Sequence, residues 1–270
     1  MLIPARLRHV AFTLAVMSPS MVHAQGTQAL AWERHDSLRV VLSATAVRRG
    51  ADTITIDYRL SNSPQSAQPV EFLVVRQNVR AYDFLGPVAW LPDARDVADS
   101  MAMSWTALER LVAPGQSADE FRQFAVGLLT IAPYRVRGAS PTPQAILDAD
   151  EDSLPRQPTV WENSVAGYTL GVDPLPATSS PAALGGRLRD LVSRSCRLGW
   201  IDPPGVCKSL LAKLDAANRS IAAGNIQAAR GELEALGREV EAQRDKHLSS
   251  EAASLLTVNL AALLARLPTS

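Results

Sequence analysis

The hydrophobic pattern of this chain changes period once, near residue 180, and that change limits the fold more than any other feature. Before it, apolar residues recur at every second position. In ADTITIDYRL, Ile54, Ile56, Tyr58 and Leu60 fall on one face, and Thr53, Thr55, Asp57 and Arg59 on the other. Leu38, Val40 and Leu42 alternate in the same way, and VEFLVV (Val70 to Val75) gives a third run. Period two with β-branched residues predicts half-buried strands. Turns are supplied by Arg49-Gly50-Ala51-Asp52, by SNSPQSAQP with Pro64 and Pro69, and by Pro114-Gly115. Phe121, Phe124 and Val126 are expected to begin a strand that Leu129, Ile131, Tyr134 and Val136 continue after a break. Thr159 to Val172 reads as the last strand or a pair. Several short strands between Pro/Gly turns predict an antiparallel β-sandwich. An α/β alternative needs helices between strands, and only Ala94 to Leu111 could offer one.

From Leu184 the period is that of a helix. Leu184, Leu188, Leu191, Val192 and Leu198 share one face of a first helix, and Gly199 follows as its stop. Asp202 is expected to cap the second helix, with Pro203 at its first position. Val206, Leu210, Leu211, Leu214, Ala217 and Ile221 form the apolar face of that helix. Gly224-Asn225 ends it and caps a third, from Ile226 to about Arg244. Ser249 or Ser250 caps a fourth, with Ala253, Leu256, Leu260, Leu263, Leu264 and Leu267 inward and Pro268 as its stop. Short connections predict an antiparallel helical bundle. The chain is thus read as multidomain β + α: a sandwich over residues 25–172, a Pro/Ser-rich linker over 173–183 and a bundle over 184–270. Charge changes at the same place, with 13 basic and 18 acidic residues from Gln25 to Ala183 and 12 basic and 9 acidic beyond.

The first 24 residues have the pattern of a secretory signal. Arg6 and Arg8 precede an apolar run from Val10 to Met17, and Val22-His23-Ala24 places small residues before an expected cleavage at Gln25. Ser18, Pro19 and Ser20 end the run well short of the roughly 20 residues of a membrane span. The expected location is therefore secreted or periplasmic, with no membrane span after the signal is removed. Disulfides persist there. Cys196 and Cys207, with ten residues between them, are the only cysteines. A zinc site wants four Cys or His ligands, and after cleavage only His35 and His247 remain. The spacing is not that of a C-x-x-C redox pair. One disulfide bracing the first helical corner is expected, worth about 2 to 3 kcal/mol for a loop of this size.

Motifs for catalysis are absent. There is no G-x-S-x-G elbow, H-E-x-x-H, P-loop or G-x-G-x-x-G. A glycosidase needs only two carboxylates, and Asp83, Asp93, Asp96, Asp99 and Glu162 are available, but no spacing singles out a pair. Near-zero net charge argues against nucleic acid as a partner. Asp148, Asp150 and Asp152 alternate beside Glu151, a pattern that can wrap Ca²⁺. Ser153 and Thr159 stand where an EF-hand loop has its Gly and its bidentate Glu, so a solvated acidic loop is the reading, with no metal or cofactor. Trp32, Trp90, Trp105 and Trp161 are read as core residues, with stacking on sugars as the alternative use. Glu239, Glu241, Arg244, Asp245, Lys246 and His247 read as a solvated helix end, or else a small recognition patch.

Two resemblances bear on this reading. LGWI before the second helix, KSLLAKLDAA, the GN turn with LEAL, EVEAQRDKHLS and the LL-rich last helix together resemble the FIMAH helical domain of secreted bacterial proteins, over residues 184–267. The stretch APGQSADEF resembles a turn of secreted immunoglobulin-like domains. The FIMAH resemblance implies a non-catalytic module carried by exported enzymes and adhesive proteins. The expectation is an exported, non-catalytic interaction protein whose partner is an extracellular or envelope protein or glycan. The alternatives are a carbohydrate- or cell-wall-binding protein using exposed aromatics, and a carboxylate-based glycosidase.

Overall fold

The computed structural model describes residues 38–50, 53–79, 81–97, 100–139, 164–176 and 178–268. Among these residues nine strands come first: β1 Val40–Arg49, β2 Thr53–Asn62, β3 Val70–Gln77, β4 Asp83–Leu85, β5 Trp90–Val97, β6 Ser100–Ala107, β7 Ser117–Val126, β8 Leu128–Gly138 and β9 Val165–Asp173. Four helices follow: α1 Pro181–Arg197, α2 Pro204–Ala222, α3 Ile226–Gln243 and α4 Ser250–Arg266.

The strands form two antiparallel sheets, ordered β1-β2-β7-β4 and β5-β6-β3-β8-β9. Lettering β1, β2, β3, β4, β7, β8 and β9 from A to G gives the ABED and CFG sheets of an immunoglobulin-like sandwich. The β5–β6 hairpin is inserted between D and E and widens the second sheet beside β3. It occupies the segment that an α/β reading would have made a helix. The alternation in β2 is borne out, since Ile54, Ile56, Tyr58 and Leu60 are all buried.

Aromatic rings fill the space between the sheets. The Trp105 ring lies edge-on 5.8 Å from Tyr58 and 5.8 Å from Phe121, and Trp90 lies 5.0 Å from Phe121. Such edge-to-face pairs add about 0.5–1.5 kcal/mol each beyond the area they bury. The Trp105 indole N–H donates to the Leu85 carbonyl at 2.8 Å. A buried polar network also joins the sheets. The Tyr58 hydroxyl donates to the Leu170 carbonyl at 2.8 Å and accepts from Gln123 Nε2 at 2.6 Å. Gln123 Nε2 also reaches Gln77 Oε1, which accepts the Val172 N–H at 3.1 Å. Burial of the Tyr58 phenol pushes its pKa far up, against the Gln123 bond that lowers it.

The strand expected from Phe121 to Val126 and its continuation after a break are β7 and β8, and the polar network sets which face of β7 turns inward. Phe124 and Val126 do not share the inward face of Phe121. The interior positions of β7 are Phe121, Gln123 and Ala125, while Val126 is exposed. Gln123 goes inside because its amide bonds Tyr58 and Gln77 there. The break after Val126 is a change of sheet. Gly127 has a φ of 155°, and a Cβ on it would stand 2.2 Å from the Asp173 carbonyl oxygen. Only glycine lets the chain cross so close to β9.

The helical part starts differently from expectation at α2. Its N-cap is Pro203, which makes no side-chain cap bond, and Pro204 takes the first helical position. With two prolines in a row, the start moves one residue on. Asp202 instead donates its backbone N–H to the His247 carbonyl at 2.9 Å, tying the first helical corner to the α3–α4 loop. Ser249 caps α4, its side chain accepting from the Ala252 N–H. Cys196 and Cys207 form a disulfide with their Cα atoms 6.0 Å apart, linking the last turn of α1 to the first turn of α2.

Helix α4 joins the two parts. Its one face packs into the bundle through Ala252, Ala253, Leu256, Leu260 and Leu263. Its other face meets the flank of the sandwich, where Leu255 and Val258 enter the sandwich core together with Leu191 of α1. Among the described strands β1 pairs with β2 only, so its other edge needs partners. Glu251 Oε1 accepts the Ala44 N–H at 2.7 Å, and Ser254 Oγ accepts the Ala46 N–H at 3.0 Å. Asn259 accepts the Leu129 N–H at 3.0 Å and donates to the Leu129 carbonyl at 2.9 Å, as a strand backbone would. Arg187 of α1 and Asp173 of β9 add an ion pair at 2.5 Å.

Candidate interaction surface

With the β1–β9 flank covered by α4, the opposite flank is where main chain stays open. There β4 pairs with β7 over only three positions, from Asp83↔Phe124 to Leu85↔Arg122. At Gly86-Pro87 the chain leaves this edge and turns into β5. A Cβ on Gly86 would lie 2.9 Å from the Trp105 ring and 3.3 Å from the Trp90 carbonyl, so the departure runs tight over the core. Beyond β4, the segment Ser117–Phe121 of β7 is paired by β2 on one side and by no described strand on the other.

A groove of about 560 Å³ opens along this edge. One wall is β7 from Ser117 to Glu120, another is Arg110 to Val112, and the Pro87–Trp90 turn closes one end. Large apolar side chains stand exposed on and around it: Val88 at 73%, Leu108 at 65%, Leu91 at 53%, Leu85 at 49% and Leu111 at 41%. Single exposed leucines are ordinary, but a gathered set marks a contact surface.

Backbone strain gathers here too. Ala89 has a φ of 68° and Glu120 a φ of 72°, the left-handed region that non-glycine residues avoid. Ala89 sits at the third position of a turn closed by the Trp90 N–H on the Pro87 carbonyl, where glycine is the usual residue. Glu120 sits at the irregularity in the β2–β7 register. Such strain costs on the order of 1 kcal/mol or more per residue and persists where the surroundings hold it.

The charges around Glu120 are mostly spoken for. Arg122 binds Asp57, whose hydrogen bond and charge raise the arginine pKa further. Arg59 binds Asp119 at 3.2 Å. Glu120 forms no hydrogen bond or ion pair with another described residue, and neither does Arg110 on the facing wall. The groove therefore offers an acid on one side and a base on the other.

The residues singled out by sequence fall elsewhere. Trp90 and Trp105 are interior, and Trp200 is half-buried between the two cores. Trp32, His35, Trp161, Glu162, Asp99 and the candidate Ca²⁺ ligands Asp148, Asp150 and Asp152 lie outside the described residues. Asp83 is on the edge of one sheet, and Asp93 and Asp96 are on β5 at the edge of the other, with Asp93 bonded to Arg95. Among the described residues, no three His, Cys, Asp or Glu side chains are placed to hold a metal. Glu239 binds Lys213 across α2 and α3, and Glu241 binds Arg244 at 2.7 Å, which holds the Glu241 carboxyl below its usual pKa. His247 is exposed. Sequence reasoning missed Val88, Arg110, Leu111 and Glu120. Their only signal was an acid at 120 inside an otherwise alternating strand.

Among the described residues, no helix is long and apolar enough to cross a membrane. No curated protein matches the chain. Among solved structures, an uncharacterised protein from Nocardia farcinica, described as having an immunoglobulin-like fold, is 16% identical. That likeness covers 47% of this chain and 97% of the other, at a TM-score of 0.28. The helical third is the part with a family: residues 186–265 match the model of the FIMAH domain, as the LGWI turn and the EVEAQRDKHLS segment implied.

Proposed function

We propose that this protein is an exported, non-catalytic binding protein that meets an extracellular or envelope protein through the open flank of its sandwich. The immunoglobulin-like sandwich and the FIMAH domain together fit an adhesion or interaction module. The disulfide and the lack of a membrane-length helix among the described residues are compatible with a place outside the cell. The observation that carries the reading is the exposed apolar set around the groove, with Val88 and Leu111 inside it. The opposite flank is closed by α4, so this is where a partner has both apolar surface and open main chain to engage.

The test is capture of envelope proteins by the mature protein beside a Val88→Glu/Leu111→Glu variant. One protein enriched by the wild type and lost with the variant supports the reading. Equal capture by both, or none by either, overturns it. A hit on a glycan array, unaffected by the variant, would favour carbohydrate binding. Among the described residues that reading has less to use, because Trp90 and Trp105 are interior and the exposed rings Tyr82 and Tyr168 lie on different sheets.

A further inference from the structure

We infer that the groove is a slot for one extended peptide segment of the partner, which adds to the edge of β7 in line with β4. This deepens the binding reading above and rests on it. Strand β4 already shows the geometry, pairing antiparallel with Arg122 to Phe124. Where Gly86-Pro87 takes the chain away, the same edge continues for five residues, Ser117 to Phe121, with no described strand beside it. Five residues of strand span about 17 Å. A row of main-chain donors and acceptors is met best by another main chain, and an extended peptide supplies them at the matching spacing on either side of the left-handed Glu120, where the row is interrupted.

The side walls set the sequence that fits. Alternate side chains of an added strand point to one face. On that face Val88 and Leu111 present apolar surface, so β-branched or other apolar residues fit there. The charges are complementary to a basic side chain opposite Glu120, and to an acidic group or the partner's C-terminal side opposite Arg110. The other free edge is a poorer template. Strand β5 carries Pro92, which donates no hydrogen bond, and the charged side chains of Asp93, Arg95 and Asp96.

The probe is a capped nonapeptide of alternating valine and threonine with lysine at its centre, added to the mature full chain. Amide exchange and NMR shifts of Ser117 to Phe121 report the contact. The expected result is binding that slows exchange at those amides, and a fall in affinity of at least about tenfold when alternate peptide amides are N-methylated. Replacing the lysine with glutamate weakens binding, and Glu120→Lys reverses that preference. Glu120→Gly, which relaxes the left-handed backbone as it removes the charge, keeps the fold and loses the preference for lysine.

The inference is overturned if the peptide does not bind, if protection appears away from Ser117 to Phe121, or if the N-methylated peptide binds equally well. Self-association of the chain abolished by Glu120→Lys would give the slot to a second copy, and overturn it as well. A protein captured by the wild type that the peptide does not displace would sink this inference while sparing the binding reading. Peptide binding without any captured protein would do the reverse.

Discussion

Replacing Asn259 by leucine is the sharpest test of how the bundle is fixed to the sandwich. The Asn259 amide meets both backbone groups of Leu129, at 3.0 and 2.9 Å, and both residues are buried. Leucine fills a similar volume but leaves one donor and one acceptor unpaired. Each such group costs about 1–3 kcal/mol, and the new apolar contact with the interface returns part of that, so a net loss of about 2–4 kcal/mol is expected. Against a typical total of about 5–15 kcal/mol, that is large. Denaturant unfolding read by tryptophan fluorescence and by helical circular dichroism measures it. Native-state exchange of the Leu129 amide, expected to be slow in the wild type because the bond is buried, reads the same contact locally. Asn259→Asp keeps an acceptor for the Leu129 N–H but turns a second oxygen toward the Leu129 carbonyl, so it should cost at least as much as leucine. A loss below about 0.5 kcal/mol for Asn259→Leu, with Leu129 still protected, would refute the reasoning, since it lies within the range of a neutral surface change.

Four further outcomes are expected from the same packing and hydrogen bonding. Burial raises the pKa of both Tyr58 and Tyr134, the latter also through the Glu251 charge. A raised folded pKa leaves stability intact below the unfolded value near 10 and removes it as pH climbs above, by about 1.4 kcal/mol per pH unit for each group. Melting curves should therefore hold level to about pH 10 and then fall, and Tyr58→Phe, less stable at neutral pH by about 1–3 kcal/mol, should fall less steeply. Changing Cys196 and Cys207 together to alanine should cost about 2–3 kcal/mol in denaturant unfolding, with the helical content unchanged. Ala89→Gly should stabilise by about 0.5–1 kcal/mol, because its left-handed turn position suits glycine; a loss instead would mean the methyl group packs where the strain argument says it does not. A chain ending at Pro176 should self-associate in sedimentation while the full chain stays monodisperse, because the Ala44 and Ala46 amides lose Glu251 and Ser254.

What the sequence could show depended on whether one face of an element is buried. Strand β2 has a single buried face carrying Ile54, Ile56, Tyr58 and Leu60, so period two was plain. The apolar faces of α1, α2 and α3 were plain for the same reason. The inward face of β7 was not legible, because an inward glutamine looks like a surface residue. Only the position of Gln77 across the sandwich and of Tyr58 on the neighbouring strand shows that Gln123 belongs inside, and those contacts are 46 and 65 residues away in the chain. The groove was illegible in a different way. Val88, Leu111 and Glu120 become a surface because β4 stops after three residues, and nothing local in the sequence marks which strand ends early.

Helix α4 carried a readable signal whose meaning needed a second body. SEAASLLTVNLAALLAR is apolar nearly all round, whereas the outer helix of a bundle should keep a polar face. Such a helix must be covered on both sides, and its three polar interior residues, Glu251, Ser254 and Asn259, then have to pair with something that is not a helix. An edge strand such as β1, and the start of β8 where β3 no longer pairs with it, are the structures with spare backbone groups to offer. The consequence reaches the function. A bundle used to seal the β1 flank fixes which edge of the sandwich remains open. The exposed leucines and valine around β4 and β7 are then placed on the side facing away from the bundle, where the proposed partner strand would displace no described part of the fold.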